Sequence, residues 1–188
     1  TDLNRAFPGS TGGPLPNRLA AALMTELSGA ALVVDIHASN IYLREIPQVR
    51  ISQDFDDLLV PIARHMNLDL IWQHSASTVL ETTLAHSLNS NSTPCLVVEM
   101  GVGMRITPEY CEQLVIGILA TWKELGILAA DVDVPEALHI PLIADDSNVH
   151  YLNAQTSGMF IPAAAHWTDV HKGELLGTIV SPFQGGAL

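Results

Sequence analysis

The chain has 188 residues, is 48% apolar, and sets twenty acidic against eight basic residues for a formal net charge of −12. That length suits one domain with a small appendage and that apolar content is ample for a core, while a net negative chain without any Lys/Arg run makes nucleic acid and acidic membranes poor partners. No stretch approaches the roughly 20 continuous apolar residues of a membrane helix and the first residues do not read as a secretory leader, so the expected compartment is the cytoplasm.

Residues 1–16 are loop by composition, with Gly12, Gly13, Pro14 and Pro16 crowded together. Asn17 is placed to cap a helix carrying Leu19, Leu23 and Leu27, closed by Gly29. A β-branched strand over 31–36 follows and runs into Asp35-Ile36-His37, so its C-terminal tip presents an imidazole. Residues 39–51 are polar and interrupted by Pro47, with Arg44, Glu45 and Arg50 among them, and are expected to form a loop or short hairpin leaving that tip.

From Ser52, the positions of Phe55, Leu58, Leu59, Ile62 and Met66 trace one helical face, which Pro61 must kink. A short strand is expected over 68–72, then a helix starting at Ser77 or Thr78 with Leu80, Leu84 and Leu88 on one side, ended by the run from Asn89 to Pro94. Residues 95–100 form a second buried strand, and this one delivers Glu99. Thr107-Pro108 opens the last long helix, carried by Leu114, Ile118, Trp122 and Leu125 to Gly126. Cys95 and Cys111 read as two buried free thiols rather than a disulfide framework.

Strands separated by helical crossovers argue for an α/β fold, a mostly parallel sheet with helices on both faces, over residues 1–138. Residues 127–138 read as a linker. The short runs at 140–143, 157–161 and 175–180 then suit a small all-β unit over 139–188, and both ends of the chain look cut.

Two strands that end in a His and a Glu form a constellation, because open α/β sheets place their chemistry at the carboxyl ends of strands. His37 and Glu99 are therefore expected to face one cavity, with Arg5 lining it. Arg44 and Arg105 are secondary substrate-binding candidates. Arg50 reads as solvated or structural, and His65, His74, His86, His139, His150 and His166 show no paired spacing and default to structural or surface roles.

Asp2-Leu3-Asn4-Arg5-Ala6-Phe7-Pro8-Gly9, Asp35-Ile36-His37 and Val98-Glu99-Met100-Gly101, in this order and spacing, resemble the succinylglutamate desuccinylase/aspartoacylase family of zinc deacylases, whose fold is carboxypeptidase-like. Ser157-Gly158-Met159-Phe160 and the run from Val170 to Gly177 are similar to the β-rich C-terminal unit of such proteins. The resemblance implies His37 as the third zinc ligand, Glu99 as the catalytic carboxylate, and Asn4 and Arg5 as substrate-holding groups. The chemistry needs such residues: zinc with an open position lowers the pKa of its water to roughly 7, a carboxylate moves the proton, and a guanidinium meets a carboxylate or developing oxyanion.

The family's other two zinc ligands come from a His-x-x-Glu motif upstream of Asp-Leu-Asn-Arg, and are expected before Thr1. The only such spacing within the chain, His171-Lys172-Gly173-Glu174, lies in the β-rich unit and is discounted as a metal motif. The family's arginine before the catalytic strand has no counterpart between Thr82 and Pro94, so selectivity for an acidic product is not carried over. The implied function is a zinc-dependent hydrolase cleaving the amide of an N-acylated amino acid or a similar small acylated amine, with these 188 residues alone inactive and weak in zinc binding. The alternative is a catalytically inactive, small-ligand-binding member of the same fold. A carrier role for the C-terminal unit around Lys172 is set aside, and a homo-oligomer is left open.

Overall fold

The computed structural model describes residues 2–75 and 81–183. The expected helix start at Ser77 or Thr78, with Leu80, lies outside the described residues, as does the tail after Phe183. Two compact units divide after Val149.

In the first unit, a 3₁₀ turn Leu3–Arg5 precedes α1 (Leu15–Leu27), β1 (Val33–His37), β2 (Glu45–Ser52), a second 3₁₀ turn Gln53–Phe55, α2 (Asp56–Ala63), β3 (Leu70–His74), α3 (Leu84–Ser90), β4 (Cys95–Gly101), α4 (Pro108–Glu124) and β5 (Leu142–Asp145). The strands form one sheet in the order β1-β4-β2-β3-β5. β1 is parallel to β4, β3 is parallel to both β2 and β5, and β2 runs antiparallel to β4. The sheet is thus mostly parallel, as expected, with one reversal at its centre.

Its two faces bury separate cores. Val49, Ile51, Leu96 and Val98 pack against Leu59, Ala63 and Met66 from α2 and its exit, and against Leu114 of α4. Val33, Cys95 and Val97 on the opposite face meet Ala20 and Met24 of α1 and Ala85 and Leu88 of α3, with Ala6 and Phe7 inserted beside them. Helices therefore cover both faces, which shields a sheet whose strands carry near-continuous apolar runs. Among the described residues no helix is long and apolar enough to cross a membrane.

The structure corrects several sequence expectations. Residues 45–52 are the central strand β2, not a loop or hairpin; Glu45 to Val49 are all buried there. Pro47 is accommodated where the register with β4 shifts between Glu45 and Gln48, an irregularity at which a missing N–H is tolerated, and its carbonyl accepts from Asp69 N–H at 2.9 Å. Leu142–Asp145 pairs in parallel with β3, so the stretch around Ile140–Ile143 belongs to the first unit and the division falls after Val149 rather than after Leu138.

On α1 the buried residues are Ala20 and Met24, while Leu19 and Leu23 face outward. Asn17 lies inside that helix and Pro14 precedes it without a side-chain cap; Thr107 likewise makes no cap bond at α4. Cys95 is buried as expected, but Cys111 is exposed.

The second unit contains β6 (Met159–Pro162) and β7 (Gly177–Val180), paired antiparallel from Met159↔Val180 to Pro162↔Gly177.

Candidate active site

Register brings the constellation together. In the β1–β4 ladder Asp35 stands opposite Val97 and His37 opposite Glu99. Because side chains alternate along a strand, these positions share the face on which Val33, Cys95 and Val97 pack, and the last pair reaches past the α1–α3 cover at the carboxyl ends of both strands. The reversed strand β2 sets Arg50 opposite Val97 as well, so a third strand adds a guanidinium to the same face.

The segment Asp2–Phe7 closes the site from the side. Asp2 Oδ1 caps the 3₁₀ turn by accepting from Asn4 N–H at 2.9 Å, and Ala6 and Phe7 are buried in the core immediately afterwards. Phe7 N–H donates to Thr82 carbonyl at 3.3 Å and Leu84 N–H donates to Asn4 Oδ1 at 2.9 Å, which pins the turn to the start of α3. Arg5 Nη1 donates to Asn4 carbonyl at 2.7 Å and lies 3.8 Å from Asp2 Oδ2, and the side chain is half exposed. Asn4, Arg5, Asp35, His37, Arg50 and Glu99 all line one cavity of about 360 Å³.

His37 Nε2 sits 3.0 Å from Asp35 Oδ1. That hydrogen bond raises the imidazole above its ordinary pKa, against an opposing effect of burial. Burial is the larger influence on Glu99 and raises its carboxyl above the usual range; the charge of Arg50 opposes this and Glu45 adds to it. Arg50 lies between the two carboxylates, its Nη2 donating to Glu45 Oε1 and its Nη1 3.6 Å from Glu99 Oε1, with the guanidinium 5.5 Å from the centre of the Trp72 ring. A permanent cation thus balances a buried carboxyl pair.

The fit to a metal is partial. His37 has Nε2 engaged by a carboxylate, the outer arrangement that orients a ligating imidazole. Among the described residues, however, no group of three or more His, Cys, Asp or Glu is disposed to hold a metal ion. A single imidazole is not a zinc site. His171 and Glu174 form a turn in the second unit, where His171 N–H donates to Glu174 Oε2 at 2.9 Å.

The structure therefore brings Asn4, Arg5, His37 and Glu99 to one cavity and leaves the two secondary arginines elsewhere. Arg44 lies by Tyr110, 6.0 Å from its ring centre, and is not part of the cavity lining. Arg105 lines a separate cavity of about 280 Å³, onto which His37 also opens. Arg50 and Asp35 are the residues that sequence reasoning underrated. Strict alternation of Gln48, Arg50 and Ser52 with Val49 and Ile51 was the available signal for a strand that would present Arg50.

A family model of the succinylglutamate desuccinylase/aspartoacylase catalytic domain matches residues 1–125. The chain belongs to this family. Among solved structures it is similar to a succinylglutamate desuccinylase/aspartoacylase from Rhodobacter sphaeroides, at 20% identity and TM-score 0.77, covering 100% of this chain and 58% of that one. It is similar also to a succinylglutamate desuccinylase from Silicibacter sp. TM1040, at 21% identity and TM-score 0.78, covering 98% and 56%. A third is the product-bound ectoine utilization protein EutE (DoeB) from Ruegeria pomeroyi, at 19% identity and TM-score 0.78, covering 100% and 58%. These likenesses establish the desuccinylase/aspartoacylase fold, and the chain spans somewhat more than half the length of each. No curated protein matches the chain in sequence.

Proposed function

We propose that the protein is a zinc-dependent deacylase that hydrolyses the amide bond of an N-acylated amino acid or similar small acylated amine. The supporting observation is the meeting of His37, Glu99, Asn4 and Arg5 at one cavity. Glu99 is the general base: its raised pKa brings it closer to neutrality, where a carboxylate both accepts a proton from the attacking water and returns it to the leaving amine. Arg5 holds a substrate carboxylate or the developing oxyanion, and Asn4, whose Oδ1 is occupied by Leu84 N–H, offers its Nδ2 donors.

His37 is proposed as one ligand of the zinc, with the remaining two contributed from outside residues 1–188; the metal supplies an activated water and polarises the amide carbonyl. The free thiols Cys95 and Cys111 support a reducing, cytoplasmic compartment. A second reading is an inactive small-ligand-binding member of the family, in which the same cavity holds a ligand without turnover.

Assaying the full-length protein against a panel of N-acyl amino acids, with bound zinc measured in parallel, separates the two. Turnover that falls roughly 10²–10⁴-fold in Glu99→Gln at unchanged zinc content is expected of the deacylase. Wild-type turnover in that variant overturns the mechanism.

A further inference from the structure

The register irregularity in β2 turns one side chain around. In the antiparallel ladder with β4, Gln48 stands opposite Glu99 and Glu45 opposite Gly101, so β2 uses one residue more than β4 over the same interval. A ladder without that extra residue would aim Glu45, an odd position like Val49 and Ile51, into the core on the other face. With it, Glu45 shares the face of Gln48, Arg50 and Glu99. Its Oε1 accepts from Arg50 Nη2 and, at 3.4 Å, from Gln48 Nε2. Glu45 is buried, at 8% relative exposure, and does not line the cavity that holds His37 and Glu99. Arg50 does line it and, with Ser52, a neighbouring cavity of about 230 Å³.

Arg50 has two carboxylates to answer and treats them unequally. Nη2 is hydrogen-bonded to Glu45, whereas Nη1 stands 3.6 Å from Glu99 Oε1, beyond hydrogen-bonding distance. The guanidinium is backed by Trp72, its register partner on β3, with the ring centre 5.5 Å away. Stability does not account for this arrangement, because a buried ion pair is seldom worth more to a fold than apolar side chains of the same volume.

We propose that Glu45 is a positioning residue for Glu99: by holding the guanidinium of Arg50, it keeps that cation beside Glu99 without letting it close on the carboxylate, which stays free to turn toward the attacking water. The inference rests on the deacylase reading above and adds to it a residue outside the cavity. Without Glu45, the guanidinium has one carboxylate left to answer, and a planar two-point bond to Glu99 would capture the base. A captured base is misplaced for proton transfer, which works only within hydrogen-bond reach of the proton it takes.

The test uses the full-length protein and whichever N-acetyl derivative of glycine, leucine, glutamine, glutamate or lysine it hydrolyses fastest, with bound zinc and thermal midpoint measured in parallel. Glu45→Met keeps the volume and removes both charge and acceptor. Its kcat is expected to fall roughly ten- to hundred-fold, with KM and zinc content within about two-fold of wild type. Placed in Glu99→Gln, the same substitution is expected to change kcat by less than about two-fold, because the base through which it acts is already gone. If Glu45→Met fails to fold, Glu45→Gln decides; its neutral amide holds Arg50 more weakly, and a fall of at least about three-fold is expected. Equal falls in the two backgrounds, or a KM that rises in step, identify a structural role and overturn the positioning, as does an unchanged kcat in the folded variants. Each of these leaves the deacylase reading intact. Absence of hydrolysis of all five derivatives by the wild type overturns the deacylase reading, and the positioning falls with it.

Discussion

His37 and Glu99 are register partners across the parallel β1–β4 ladder, and each is displaced toward its protonated form by a different cause. For His37 the main cause is the hydrogen bond to Asp35; for Glu99 it is burial. A hydrogen bond that favours the charged imidazole stabilises the fold, whereas burial of a carboxylate opposes it, so the two partners carry opposite signs in the stability of the protein.

Glu99→Gln should therefore make the protein more stable near neutral pH. The folded pKa of Glu99 lies above its ordinary value of 4.5, so the stability that its protonated form contributes is present in full below that value and is lost as pH rises through the folded pKa. Glutamine imitates the protonated form and does not titrate. Denaturant unfolding at about pH 4 and about pH 8 is expected to give equal stabilities at the lower pH and a more stable variant at the higher. A less stable variant at the higher pH would mean that the ion pair with Arg50 outweighs burial.

Arg5→Ala is expected to raise KM and lower kcat together, while leaving the thermal midpoint within a degree or two. The side chain is 47% exposed and its hydrogen bond is to the neighbouring Asn4 carbonyl, so little of the fold depends on it. An unaltered KM in a destabilised protein would assign Arg5 to structure instead of substrate.

Asn89→Ala should be among the most damaging substitutions outside the site. The Asn89 amide accepts from Cys95 N–H at 2.8 Å and donates to Cys95 carbonyl at 3.0 Å, and all of these groups are buried. Truncation orphans both backbone groups at the first residue of β4, at about 1–3 kcal/mol each. Urea unfolding measures the loss, and a change below about 0.5 kcal/mol would show that water or a shifted chain replaces the amide.

Gly117→Ala tests the packing of α4. A Cβ at Gly117 would meet the Met66 carbonyl, a backbone group that cannot swing aside. The gain in helix propensity of up to about 1 kcal/mol is expected to lose to overpacking of about 1–3 kcal/mol. A stabilised variant would show that α4 can move away from Met66 at little cost.

The two thiols should differ sharply toward a thiol reagent. Burial pushes Cys95 up to about 12, while Cys111 is exposed on α4. One equivalent is expected to react in the native protein and a second only in denaturant, because the thiolate is the reactive form and must be reachable. Cys111→Ser should remove the native equivalent.

The parts of the structure that were legible in the sequence are those in which local pattern and tertiary role agree. Val33 to His37 and Cys95 to Gly101 are apolar runs ending in ionisable groups, and they became the adjacent parallel strands that carry the site. β2 was hard to read for the opposite reason: Glu45, Pro47 and Gln48 are poor strand material by propensity, and they are buried beside a half-buried Arg50 that bridges Glu45 and Glu99 and at a register shift that accommodates Pro47, so that only the alternation from Gln48 to Ser52 signalled the strand. The leucines of α1 misled in another way. Leu19 and Leu23 recur at helical spacing, yet Ala20 and Met24 face the sheet. A repeat of four identifies a helix without saying which stripe is inside. Arg50 was missed along with its strand, since a site built by tertiary pairing leaves no mark at any single position.

The reversed direction of β2 makes this stretch unforgiving of length changes. From Gln48 to Ser52 its odd positions fill the core with Val49 and Ile51 while its even positions supply Arg50 and Ser52 to the two cavities. Inserting or deleting one residue after the irregularity at Pro47 would send isoleucine and valine into the cavities and drive a guanidinium into the core. The preceding connection between His37 and Glu45 contains exposed residues from Ile41 to Arg44 and can lengthen with much less penalty. Among homologues of this chain, gaps should therefore collect on the amino side of Glu45 and stop abruptly at Gln48. Indel boundaries in that short interval would mark the edge of the candidate site without any knowledge of its chemistry.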